Sequence, residues 1–196
     1  GTGGTLTDSD TLPITVTQVN DAPVNTVPGA QTTAEDTARI FNLANGNRIT
    51  VADVDDGDSA PSPTIGDETV QVTLTAANGT ITLATTAGLS FSFTDPNGTG
   101  AGDGVADATM TFRGTISAIN TALAGMSYIP NTNFNGAGSL TIVSSDLGNF
   151  GTGGTLTDSD TLPITVTQVN DAPVNTVPGA QTTAEDTARI FNLANG

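Results

Sequence analysis

Val70-Gln71-Val72-Thr73-Leu74-Thr75-Ala76 alternates apolar with polar at every step, and Leu89-Ser90-Phe91-Ser92-Phe93-Thr94 does the same a little further on. In an extended chain successive side chains point to opposite faces, so each run presents one apolar and one polar face. That is the pattern of a half-buried antiparallel strand, with one side on a core and the other in water. Working outward, the same period recurs in short stretches of Thr, Val, Ile and Phe separated by Gly, Asn, Asp and Pro. Further candidate strands are Thr11–Val19, Gln31–Ala34, Ala38–Asn42, Ile49–Ala52, Thr80–Ala84, Thr109–Arg113, Met126–Ile129 and Ser139–Ser145. Asn78-Gly79, between two such runs, reads as a hairpin turn. One stretch has another period: Ile116, Ile119 and Leu123 stand at helical spacing, with Ser117 suited to the N-cap and Gly125 to the position after the last turn. The expectation is all-β, a sandwich with one short helix over one end. A β-solenoid would need short coil repeats, and none runs through the sequence.

Residues 151–196 repeat residues 1–46 letter for letter, so the chain is a window on a tandem array with a period of 150 residues. A unit of that size can bury a core of its own. Pro23 and Pro28 bracket Val24-Asn25-Thr26-Val27 just after the strongest strand pattern, and Pro173 and Pro178 do so in the second copy. This reads as a joint between domains. Residues 1–20 are then the last strand of a preceding repeat, 21–170 a complete sandwich and 171–196 the first strands of the next. Both flanks lack partner strands within the chain and are expected to fray.

Composition narrows the function. The chain has no Cys, His, Trp or Lys, and its four Arg against 20 acids, of which 17 are Asp, leave a net charge of −16. Without the usual bases, nucleophiles and Schiff-base formers, an enzyme is not expected. A polyanion lacking Lys does not bind nucleic acid or an anionic membrane by charge, and no apolar run is long enough for a spanning helix. Disulfides and Lys-based crosslinks are excluded too, which leaves bound metal as the available staple.

The acids cluster at domain ends. Val51-Ala52-Asp53-Val54-Asp55-Asp56-Gly57-Asp58 puts Asp53 and Asp55 two apart, on one face of a strand end, where they repel unless a cation sits between them. Ca²⁺ takes about six to eight oxygen ligands and accepts backbone carbonyls among them. Gln18-Val19-Asn20-Asp21-Ala22-Pro23, Ala34-Glu35-Asp36 and Ser144-Ser145-Asp146-Leu147-Gly148 are the other acidic features. Taken singly, the Asn-Asp-Ala-Pro stretch also reads as a turn and the Asp run as a solvated loop. Asp95-Pro96-Asn97-Gly98-Thr99-Gly100 opens like an EF-hand loop, but its twelfth position is Ala106, and it reads as a long loop. Asn78-Gly79-Thr80 and Asn97-Gly98-Thr99 match the glycosylation sequon.

In this order the four features resemble the cadherin-like family. Val19-Asn20-Asp21-Ala22-Pro23 matches part of its linker motif, Ala34-Glu35 its first-strand Pro-Glu, Asp53-Val54-Asp55-Asp56-Gly57 its Asp-x-Asp-x-Gly, and Ser144–Gly148 its Ala-x-Asp-x-Gly. Ile119–Tyr128, Asn133-Phe134-Asn135-Gly136 and Val169–Pro173 are similar to the tandem cadherin-like repeats of giant bacterial surface proteins. The resemblance implies Ca²⁺ at the joints, bound by Asn20, Asp21, Asp53, Asp55 and Asp146 at the N-terminal joint. Glu35, Asn170 and Asp171 would contribute at the C-terminal one. Gln18 and Gln168 stand where cadherins carry Asp, so fewer ions per joint are expected than the family holds. The implied role is a Ca²⁺-stiffened spacer of a long bacterial adhesin-type protein, extracellular and secreted to the cell surface, with neighbouring identical repeats as partners. A subunit of an extracellular filament or sheath, and a ligand-binding cell-adhesion module, are the alternatives. Val51–Gly57 also resembles the Asp-x-Asp opening of haloacid-dehalogenase-type phosphatases, whose chemistry needs the Lys this chain lacks.

Overall fold

The computed structural model describes residues 2–56, 69–91, 102–149 and 151–191. Eleven strands and one helix occur among the described residues. The first half holds β1 (Val24–Thr26), β2 (Gln31–Ala34), β3 (Arg39–Ile40), β4 (Thr50–Ala52), β5 (Thr69–Ala77), β6 (Gly79–Thr82) and β7 (Ser90–Phe91). The second holds β8 (Thr109–Thr115), α1 (Ile116–Leu123), β9 (Ser127–Pro130), β10 (Gly136–Ser145) and β11 (Thr157–Thr167). The expected class is what forms: mostly β, sandwich-like, with one short helix.

One layer is a six-stranded sheet in the order β2-β11-β10-β5-β8-β7. The pair β1-β4 and the three-stranded sheet β3-β9-β6 supply the other strands. The large sheet is antiparallel except where β11 runs parallel to β2, pairing Ile164 with Gln31 through Thr167 with Ala34. The alternation in β5 works as its sequence dictates, with Val70, Val72, Leu74 and Ala76 buried and the residues between them turned away. These pack with Phe112, Leu140, Ile142, Leu162 and Ile164 from the same sheet, with Val51, Ile81 and Tyr128 from the others, and with Phe41 just after β3, in one core. Ile119 and Leu123 of α1 join it, as their spacing predicts.

Two local expectations are corrected. The helix is capped by Thr115, whose hydroxyl accepts from the Ala118 amide at 3.2 Å, and not by Ser117, which lies in the first turn. The extended backbone of β8 runs up to Thr115 and turns there, so the cap is the strand's own last residue. Gly125, at φ +115°, closes the other end as expected. Asn78-Gly79 does not join two strands of a hairpin, because β5 and β6 belong to different sheets. Asn78, at φ +58°, is a corner between layers, and the Tyr128 hydroxyl donates to Ala77 O at 2.9 Å and Asn78 O at 3.1 Å to hold it. A Cβ on Gly79 would stand 2.6 Å from the Tyr128 ring, so only glycine fits this approach.

The repeated sequence takes two states. Residues 157–167 form β11, with Leu162 only 1% exposed, whereas the identical residues 7–17 form no strand and leave Leu12 82% exposed. The strand expected over Thr11–Val19 is therefore absent apart from a parallel bridge between Val19 and Thr152. The same asymmetry holds at the other end, where Phe41 is fully buried and its copy Phe191 is 66% exposed. Letters alone do not make these strands: β11 exists where β10 and β2 flank it. Hydrogen exchange monitored by mass spectrometry should show residues 7–17 exchanging at near unprotected rates while 157–167 stay protected. Equal protection of the two copies would contradict the arrangement. Of the expected run Leu89–Thr94, residues 92–94 lie outside the described residues, as do Gly57, Asp58 and the loop Asp95–Gly100.

Candidate metal centre

The acidic residues expected at an N-terminal joint lie at the end of the sandwich where the chain comes in. Asn20 is drawn inside, 5% exposed, because Gln18 and Asn20 bond through their backbones to Thr152 just before β11. Its Nδ2 donates to Asp146 Oδ2 at 2.5 Å and to Gly154 O at 2.8 Å. Its Oδ1 is buried and has no hydrogen-bond partner. Asp146 follows the last residue of β10 and is itself buried; its Oδ1 accepts from the amides of Gly148 at 2.8 Å and Leu156 at 2.9 Å.

Asp53 and Asp55 follow β4 in a turn and not in the strand extension expected from their spacing. Asp53 Oδ1 accepts from the Asp55 amide at 3.0 Å, the local side-chain turn that Asp readily forms. Asp55 is buried, and its Oδ2 accepts from the Asp21 amide at 2.7 Å. Asp21 and Asp55, with Val16, Thr17, Gln18 and Val19, line an open groove at this end. Burial raises the Asp53 carboxyl above its ordinary value, the Asp55 backbone hydrogen bond lowers it, and the charges of Asp55, Asp146 and Asp56 raise it again. The carboxylates are thus near enough to repel one another. A raised carboxyl costs nothing while protonated, and its penalty to the fold arrives as pH climbs through the raised value.

The five residues expected at the N-terminal joint are brought together here. Even so, no group of three or more His, Cys, Asp or Glu side chains stands in a ligating arrangement among the described residues. A hard cation would draw on the orphaned Asn20 Oδ1 and backbone carbonyls as well as carboxylates, which is the mixed oxygen set Ca²⁺ accepts. The residues named for the C-terminal joint are less gathered. Glu35 is buried, and its Oε1 accepts from the Val169 amide at 2.5 Å, fixing the point where β11 leaves the sandwich. Asn170 and Asp171 are exposed beyond it. The residues of β1 read from sequence as part of a proline-bracketed joint, and nothing in that pattern marks the strand or its buried Asn25.

Comparison with known proteins gives one family. Residues 65–149 match the family model described as the Protein GAMETE EXPRESSED 2 domain. No curated protein matches the chain. The match runs from β5 to β10 across the core and covers under half of the sequence, so the chain is similar to that domain over this stretch. It corrects the resemblance to cadherin-like repeats of bacterial surface proteins, and with it the spacer, filament or sheath, and cell-adhesion roles that were hung on it. The reason lies in the residues used: of the four acidic features only Ser144–Gly148 falls inside the matched stretch. Asn, Asp, Gly and Pro at strand ends are turn formers that unrelated sandwiches share, whereas the matched stretch carries β5, β8, α1 and β10, whose buried residues make up much of the core.

Proposed function

We propose that the folded unit is a non-catalytic, Ca²⁺-binding β-sandwich module that works outside the cell, its ion holding the incoming segment against the sandwich. The buried, unpartnered Oδ1 of Asn20 beside Asp146 carries this reading. An amide oxygen cut off from water costs roughly 1–3 kcal/mol unless a donor or a cation meets it, and a cation in this acidic surround would also relieve the repulsion felt at Asp53. Asn20, Asp21, Asp53, Asp55 and Asp146 are the residues that would hold it. When bound, Ca²⁺ supplies charge compensation and links the incoming segment to β4 and β10; the chain's own part is to bury Asn20 and aim Asp146 through the Gly148 and Leu156 amides. The absence of Lys, His and Cys supports a module without catalysis. The likeness to a domain model supports a part of a larger protein, whose immediate partner is the next identical repeat.

Extracellular Ca²⁺ modules bind on the order of 10⁻⁴–10⁻³ M, which matches the concentration outside cells and not inside. A Ca²⁺ titration by calorimetry is expected to show binding in that range, and millimolar Ca²⁺ should add roughly 1–2 kcal/mol of stability. Asp53→Ala and Asp55→Ala should abolish the heat. Identical melting curves in Ca²⁺ and in EDTA would rule the reading out.

A further inference from the structure

Strand β1 is built the wrong way round for a sandwich. Its sequence Val24-Asn25-Thr26 offers one apolar side chain, yet Val24 is 56% exposed and Asn25 is only 7% exposed. Asn25 is paired with Val51 of β4, which is also buried, and β1 packs on β10 and β11. Neither Nδ2 nor Oδ1 of Asn25 has a hydrogen-bond partner. The contrast with Asn47, equally buried, is plain: its Nδ2 donates to Gln31 Oε1 and Ile40 O, and its Oδ1 accepts from the Asn42 amide.

The surroundings of Asn25 are polar as well. Its backbone amide donates to Asp158 Oδ2 at 2.7 Å. Asp158 stands directly across the β10–β11 ladder from Ser144, which is completely buried and whose hydroxyl is also without a partner. Residues opposite one another in a ladder put their side chains on the same face, so Ser144 and Asp158 share the face on which β1 lies. One short stretch between the sheets therefore contains an orphaned amide nitrogen, an orphaned amide oxygen and an orphaned hydroxyl around one half-buried carboxylate.

We propose that Asn25, Ser144 and Asp158 form an interior water-binding site that locks β1 in register against β10 and β11. The chemistry selects the ligand. Asp158 already takes two amides, from Asn25 at Oδ2 and Ser159 at Oδ1, so both of its oxygens are engaged. What is left over is neutral and includes a donor, which a cation would repel and which water, donor and acceptor at once, complements. Buried waters typically make about three hydrogen bonds to groups of this kind. A three-residue strand has little apolar surface with which to choose its position, and a single buried polar anchor fixes register where hydrophobic patterning is weak. This site is independent of the cation proposed above and stands if that one fails.

A crystal structure of the chain at high resolution is expected to show ordered density within hydrogen-bond distance of the Asn25 amide and the Ser144 hydroxyl. Contacts should be near 2.8 Å, unchanged by soaking in EDTA. An empty site, or an ion at the shorter distances of metal coordination, would overturn the proposal. Asn25→Leu and Ser144→Ala should each lower Tm by several degrees, and the double variant by less than the two together, because both lose the same water. A rise in Tm for Asn25→Leu, or strict additivity, would show that no shared ligand is present.

Discussion

Asp146→Ala is expected to lower unfolding stability by about 3–5 kcal/mol, read from urea denaturation followed by circular dichroism. The carboxylate is almost wholly buried and serves three donors: the Gly148 and Leu156 amides at Oδ1 and the Asn20 side chain at Oδ2. Hydrogen bonds to a charged acceptor contribute about 1.5–3 kcal/mol each, and truncation takes the acceptor from the Gly148 and Leu156 amides and leaves the Asn20 side chain with Gly154 O alone. The loss falls below the sum of three because the chain can admit water at this end. The turn Leu147-Gly148, in which Leu147 holds φ +62°, and the run into β11 both depend on that carboxylate. Asp146→Asn keeps the shape but gives up the charge and one acceptor, so a loss of about half is expected. A change below about 1 kcal/mol for the alanine variant would mean that the turn stands without its acceptor.

Tyr128→Ala should be as damaging, at about 3–5 kcal/mol, for a different reason. The side chain is fully buried between the glycines that make room for it. A Cβ on Gly79 would meet the ring at 2.6 Å, and one on Gly138 would meet the hydroxyl at 2.4 Å. Alanine leaves a ring-sized cavity and frees the Asn78 corner from the hydroxyl that holds it. Tyr128→Phe separates the two effects. It keeps the packing and removes only the bond to the Ala77 and Asn78 carbonyls, for which about 1 kcal/mol is expected. If phenylalanine cost as much as alanine, the corner and not the core would be the part that matters.

What could be read from the sequence followed from periodicity. Val70, Val72 and Leu74 at every second position, and Ile116, Ile119 and Leu123 at helical spacing, dictated a half-buried strand and a packed helix, and both form. Which face of a strand is buried follows from alternation, so the identity of its neighbours need not be known to tell the two faces apart. The errors have one origin, in decisions taken by distant parts of the chain. Asn78-Gly79 has the chemistry of a hairpin, but whether β6 pairs with β5 or crosses to β9 is settled by strands elsewhere. Thr11–Val19 has the pattern of a strand and lacks the neighbours that its copy finds at 157–167. The spacing of Asp53 and Asp55 predicts a strand face, yet the two lie in a turn, because an Asp side chain can close a turn on its own backbone. Asn25 ran against the apolar rule, and no local signal marks a buried asparagine flanked by an exposed valine.

The course of β11 also decides how the unit answers a pull on its two ends. The incoming chain is tied to Thr152, ahead of β11, and the outgoing chain leaves from Val169, tied to Glu35 at the strand's far end. Tension between residues 19 and 169 therefore runs along the axis of this single strand, with the rungs to β10 on one side and β2 on the other lying across it. Rungs set crosswise to a force must give way together, as rivets in a lap seam do, and not one after another like the teeth of a zipper.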